Sequence, residues 1–245
     1  MASSTVNQAE RARFNQLAAM WWDESGPMWP LHLLNRFRVQ RILRVLESQG
    51  AISTTTNKPL AGLNVLDIGC GGGILSESLS ELGANVSAID VAENNINIAK
   101  QHAQLSGYDI EYQTSEIHQV SGQYDIVFNM EVVEHVNNLP GFMEEACKRV
   151  KPGGFMFAST INRTLKSFLF AIIGAEYVLR LLPKGTHTWR MFVTPDELKN
   201  HLHNGGITTF WTAGVALNPL TKKFSEQKSL SVSYMLAGRK SPADT

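Results

Sequence analysis

The 245 residues predict an α/β fold: a seven-stranded, mostly parallel sheet with helices on both faces, an N-terminal helical lid and a hydrophobic helical insertion after strand five. Three observations carry this reading. From Asn64 onward, short apolar runs alternate with helical patterns, the spacing that lays strands side by side in parallel. A glycine-rich turn, "DIGCGGGIL", stands between the first strand and the first helix of that series. After the fifth strand, "KSFLFAIIGAEYVLRLLPKG" is apolar on nearly every face, with only Glu176 and Arg180 charged between Ser167 and Leu182.

The elements follow in order. Ala9 to Trp22 and Asn35 to Gln49 read as helices, the second with Phe37, Val39, Ile42, Leu43 and Leu46 on a broad apolar stripe. "STTTNKP" at Ser53–Pro59 is a polar linker, so residues 1–58 form the lid and linker and 59–240 the main domain, with its insertion at about 164–190. "NVLDI" is a buried strand, "ILSESLSEL" a helix, "NVSAID" a strand, and "AENNINIAKQHAQLSG" a helix closed by Gly107. "IEYQ", "YDIVFNM" and "FMFAST" are strands three to five, with the helix "GFMEEACKRV" before the last of them. "TPDEL" opens a later helix with Thr194 as cap and Glu197 three residues on. "GITTFWTAGVALNP" and "SLSVSYMLAG" close the sheet as antiparallel strands.

Composition narrows the function. Lys and Arg total 22, as do Asp and Glu, and this balance argues against a nucleic-acid partner, which would select a basic excess. Two cysteines, Cys70 and Cys147, make no disulfide framework and suit a reducing compartment. The N-terminus has no apolar signal core, and no stretch reaches the ~20 apolar residues of a spanning helix.

Gly69, Gly71 and Gly73 follow a strand and open a helix, where backbone approaches a ligand closely. A dinucleotide fingerprint would place glycine at position 74, which is Ile74. The pattern, with Asp67 before it, resembles the S-adenosylmethionine site of class I methyltransferases. Asp90 ends the second strand, where a carboxylate can accept from both ribose hydroxyls. A tight turn without a ligand and a nicotinamide-dependent reductase are the alternatives. Met130 ends strand four, at the carboxyl edge where ligands lie, and its alternative is a core side chain. Glu131, Glu134 and His135 stand at i, i+3 and i+4, so one helical turn points all three the same way. Such a set suits a divalent cation, Mg or Zn, that lowers the pKa of a catechol oxygen; the alternative is an ordinary helix start.

"MWWDESGPMWPLHLLN", "VLDIGCGGGIL", "QYDIVFNMEVVEHV", "KPGGFMFASTINRT", "GAEYVLRLLPKGTH" and "NPLT" together resemble the O-methyltransferases of ubiquinone biosynthesis, from about Phe14 to Leu236. The resemblance implies S-adenosylmethionine-dependent methylation of ring hydroxyls on polyprenylated phenols, at two steps of one pathway. It places cofactor contacts on Arg38, Gly69, Asp90 and Met130, with Gly71 in the same loop, and a divalent metal on Glu131, Glu134 and His135. Within "PKGTH", His187 is the candidate that takes or orients the phenol proton, the alternative being a solvated loop histidine. The chain departs from the family at Arg36, where proline is usual, which makes Arg36 a rival to Arg38. It departs again at Thr188, where aspartate is common.

Trp21 reads as a packing aromatic and "WWDESG" as part of a lid over the cofactor. The apolar segment reads as an interfacial helix immersing Phe168, Leu169, Phe170, Ile172 and Ile173, with Lys166, Arg180 and Lys184 on anionic head groups. Its alternative is a core helix under the acceptor pocket. The implied setting is cytoplasmic, peripheral on the inner face of the membrane, among other ubiquinone-biosynthesis proteins.

Overall fold

Strand β1 (Asn64–Ile68) is buried at every position after its first, as a central strand covered on both faces must be. Around it the computed structural model describes residues 21–26, 28–168, 189–218 and 220–242. The first expected helix up to residue 20, residues 169–188 of the insertion, and therefore His187, lie outside the described residues.

The chain runs α1 (Trp29–Ser48), β1, α2 (Ile74–Glu81), β2 (Asn85–Asp90), α3 (Glu93–Ser106), β3 (Glu111–Thr114), β4 (Tyr124–Met130), α4 (Leu139–Lys148), β5 (Val150–Ile161), α5 (Pro195–Asn204), β6 (Ile207–Asn218), β7 (Lys223–Gln227) and β8 (Ser233–Lys240). The sheet order is β3-β2-β1-β4-β5-β8-β6-β7. Strands β1 to β5 are mutually parallel, whereas β8, β6 and β7 join antiparallel. The chain steps outward from β1 to β3 and then returns to β4 on the other side of β1. That reversal opens a crevice at the carboxyl ends of β1 and β4, where ligands bind in such sheets.

Among the described residues eight strands form rather than seven. The additional strand, β7, reads "KFSEQ", and all its side chains but Phe224 are exposed, so it carries no alternating apolar signal. A charged edge strand of this kind discourages pairing with another chain. Its hairpin is set by Asn218, whose Oδ1 accepts from the backbone of Leu220 and Thr221, and by Lys222 in a left-handed conformation.

Helix α1 starts six residues earlier than the sequence predicts, because Pro30 in its first turn fits a helix start. Its buried face is also shifted. Ile42, Val45 and Leu46 pack with Leu79, Val65 and Phe128, while Phe37, Val39 and Leu43 are only partly buried. In the N-terminal half the buried residues are polar: His32, Asn35 and Arg38. Asn35 donates to Ile74 O and Ser78 Oγ of α2, His32 Nε2 meets Trp21 O, and Arg38 reaches Ser159 Oγ near the end of β5.

Alternate residues of β4 go to opposite faces, Ile126, Phe128 and Met130 to one cluster and Val127 to the other. Helix α3 ends at Gly107 in the left-handed conformation, and α5 begins with the Thr194–Glu197 capping box, both as the sequence predicts. Beyond β5, Thr164 caps a helical turn at Leu165–Ser167, and its hydroxyl donates to Ser231 O. Trp189 Nε1 donates back to Thr164 O at 3.1 Å, so the stems on either side of residues 169–188 are tied together.

Candidate functional site

The turn after β1 is held against β2. Gly69 N and Cys70 N both donate to Ile89 O, at 2.8 and 3.0 Å. Gly69 and Gly71 have φ of 70° and 55°. A Cβ on Gly69 would lie 2.5 Å from Val132 Cγ2, and one on Gly71 would lie 2.6 Å from the Trp21 ring. Only glycine fits a positive φ with neighbours this close.

Asp90 closes the floor of this turn. Its Oδ2 accepts from Gly71 N at 2.9 Å, and its Oδ1 accepts from Ala92 N at 2.8 Å and Asn95 Nδ2 at 3.4 Å. Burial raises its pKa, against the pull of those donors. Behind it, Asp67 accepts from Ser76 Oγ at 2.7 Å. Burial, aided by the charge of Asp90, pushes the Asp67 carboxyl up to about 7.

The opposite rim is the end of β4. Met130 is buried as its last residue and pairs across to Ser159 of β5. The next residue overturns the expected helical turn. Glu131 has φ 58°, so the chain bends left-handed there, and only Val133–His135 forms a short 3₁₀ turn. Glu131 therefore does not share a helical face with Glu134 and His135. Its carboxylate meets Arg38, and it accepts from Ser159 Oγ at 2.8 Å. Glu134 is buried and accepts from Thr160 Oγ1 at 2.8 Å. Burial, then the charge of Glu131, pushes its carboxyl to about 7. Among the described residues, no group of three or more His, Cys, Asp or Glu could hold a metal ion. The donor types suit a divalent cation, but this backbone does not gather them.

Arg38 and its rival separate cleanly. Arg36 is exposed and lies 3.6 Å from Glu24, whereas Arg38 is buried toward the crevice and donates to Ser159 Oγ at 3.2 Å. Its Nε is buried without a partner, a donor suited to an anionic group such as a carboxylate. The crevice thus offers an acceptor for a diol at Asp90, a close backbone at Gly69 and Gly71, and an unmatched donor at Arg38. These fit S-adenosylmethionine, which has a ribose at one end and a carboxylate at the other.

The structure brings Arg38, Gly69, Gly71, Asp90, Met130 and Glu131 to the carboxyl edge of the central strands. Ser159 joins Arg38 and Glu131, Thr160 holds Glu134 and Asn95 holds Asp90; all three were missed. The signal for Asn95 was its place five residues after Asp90; Ser159 and Thr160 carried none beyond ending a predicted strand.

A family model described as a methyltransferase domain matches residues 34–209. The chain is 44% identical over 242 residues to the ubiquinone biosynthesis O-methyltransferase of Methylobacterium sp. (strain 4-46), covering 98% of this chain and 97% of that one. It is 45% identical over 239 residues to the protein of the same name from Dinoroseobacter shibae, covering 96% of each. Among solved structures, a magnesium protoporphyrin IX methyltransferase from Synechocystis PCC 6803 with bound SAH matches with TM-score 0.64, 19% identity and coverage of 96% and 94%. A SAM-dependent methyltransferase from Aquifex aeolicus matches with TM-score 0.60, 17% identity and coverage of 94% and 97%. At these identities the two structures establish the fold.

Proposed function

Because the chain belongs to the ubiquinone biosynthesis O-methyltransferase family, we propose that it methylates ring hydroxyls of polyprenylated phenols and catechols, 2-polyprenyl-6-hydroxyphenol and 3-demethylubiquinol, using S-adenosylmethionine. The observation that carries this reading is the crevice between β1 and β4, with Asp90 on one rim and the unmatched Nε of Arg38 on the other. S-adenosylmethionine, when bound, supplies an electrophilic methyl group on a sulfonium.

The chain's residues divide the remaining work. Asp90 accepts from the ribose hydroxyls, and the backbone at Gly69 and Gly71 permits close approach. Arg38 donates to the cofactor carboxylate, and Met130 supplies an apolar wall at the strand end. Holding donor and acceptor in line accounts for much of the acceleration. A phenol of pKa about 10 must lose its proton during attack. His187 takes it in this proposal, which rests on its place in "PKGTH". No step runs through a divalent cation, because Glu131 is paired with Arg38 and the described residues hold no group of three or more His, Cys, Asp or Glu suited to a metal ion.

The acceptor is lipid-borne, so the proposed setting is the membrane surface, on its inner face. Among the described residues no helix is long and apolar enough to cross a membrane. Leu165 (78% exposed) and Phe168 (38%), beside Lys166, begin the apolar segment and support an interfacial reading. Incubation with labelled methyl donor and a short-chain demethylated quinol tests the chemistry, and absence of transfer to the ring oxygen overturns it. Flotation with anionic vesicles tests the setting separately; a protein that stays at the bottom is not peripheral.

A further inference from the structure

The glycine turn is covered from the N-terminal side by two indoles. A Cβ on Gly72 would lie 2.4 Å from the Trp21 side chain, as close an approach as at Gly71. Trp22 is fixed beside it, donating to Gly72 O at 2.9 Å and stacking on His102 with centroids 3.4 Å apart. Trp21 Nε1 donates to Asn95 Oδ1 at 2.9 Å. Asn95 is 1% exposed, and its amide nitrogen donates to Asp90 Oδ1. A continuous chain of hydrogen bonds therefore joins the lid to the carboxylate on the floor of the crevice.

We propose that Asn95 is a positioning residue whose amide, oriented by the Trp21 indole, holds the Asp90 carboxylate, so that docking of residues 21–26 sets cofactor affinity. The reasoning lies in the donor inventory. An indole N–H only donates, so it fixes which end of the amide faces it. The carbonyl of Asn95 must turn to Trp21, and the NH₂ must then turn to Asp90. Without the indole donor the buried Asn95 carbonyl loses its partner, and the amide is tethered only by its long bond to Asp90. Asp90 keeps its backbone donors at Gly71 and Ala92 but loses a firmly placed side-chain donor.

The inference rests on the reading of Asp90 as the ribose acceptor. The test uses the full chain and calorimetric titration with S-adenosylmethionine. Trp21→Phe keeps an aromatic ring but removes the donor together with part of the indole over the glycine turn; it should weaken binding at least about five-fold, the order of one neutral hydrogen bond. Asn95→Ala should weaken it too, and the double variant by clearly less than the two single losses combined, because the two share one contact. KM for the cofactor should rise while kcat at saturation holds, which a general loss of stability would not produce. Unchanged affinity in Trp21→Phe, or strictly additive losses, overturns the proposal. Trp21→Phe decides alone if Asn95→Ala does not fold. If Asp90→Ala also binds normally, the ribose reading has failed; if Asp90→Ala loses binding and Trp21→Phe does not, only the relay has.

Discussion

Replacing Glu134 by glutamine removes one carboxyl whose charge the fold disfavours. The side chain is 4% exposed and accepts from Thr160 Oγ1, a bond that a glutamine carbonyl can retain. Burial, then the neighbouring Glu131, moves its pKa from 4.5 to about 7. Between those values the folded chain keeps a proton that the unfolded chain has released. The folded state binds more protons there, so stability falls as pH rises from about 4.5 through about 7. At about 1.4 kcal/mol per pH unit, the full displacement is worth ~3 kcal/mol. Asp67 is displaced in the same direction but is present in both proteins, so it cancels in the comparison. Urea denaturation across this range gives each stability by linear extrapolation. The glutamine variant should match wild type at the acidic end and exceed it by up to ~3 kcal/mol once Glu134 is ionised. A difference that stays flat across the range would refute the reasoning, since it would mean that Glu134 titrates alike in the folded and unfolded chains.

Asp90→Ala removes the carboxylate that organises Gly71, Ala92 and Asn95, and calorimetry should show S-adenosylmethionine affinity at least about tenfold weaker, the scale of a charged hydrogen bond. Gly73→Ala forces a Cβ to 2.3 Å from the Tyr112 hydroxyl at φ 88°, and thermal melting should register a loss of ~2–4 kcal/mol. Tyr234→Phe strips the donor from the Val193 carbonyl in the core and should cost ~1–3 kcal/mol by the same measurement. His187→Gln should lower kcat while leaving the calorimetric affinity for S-adenosylmethionine unchanged; unchanged turnover would return His187 to a solvated loop residue.

In the parallel half of the sheet, β1, β4 and β5 were readable as largely buried apolar runs. Strand β2 was readable from the helix-length patterns on either side, whereas edge strand β3 buries only Tyr112. The glycine turn and Asp90 were readable because backbone chemistry dictates residue type there. Other features depended on contacts that no local pattern encodes. The polar face of α1 looked like a break in an apolar stripe, yet His32, Asn35 and Arg38 are buried because Trp21 O, α2 and Ser159 supply their hydrogen-bond partners. Strand β7 was hidden because an edge strand needs no alternation. The error at "EVVEH" is more instructive. Spacing assumed a helix, whereas Glu131 N still donates across to Ser159 O while its backbone takes a left-handed φ that ends the strand. Once that residue turns, the three side chains no longer share a face.

The tie between Trp189 and Thr164 gives the apolar insertion a single doorway. The chain leaves β5 and returns to α5 through stems already fixed to the body, by Thr164 on Ser231, Asn162 on Leu230 and Arg163 on Glu197. The sheet therefore does not depend on how many residues pass between the stems, since lengthening a closed loop costs only slowly more entropy. Such an element can be exchanged as a cassette. Evolution, or an engineer, can rewrite the roughly twenty residues between two fixed posts while the sheet and the glycine turn keep their shape.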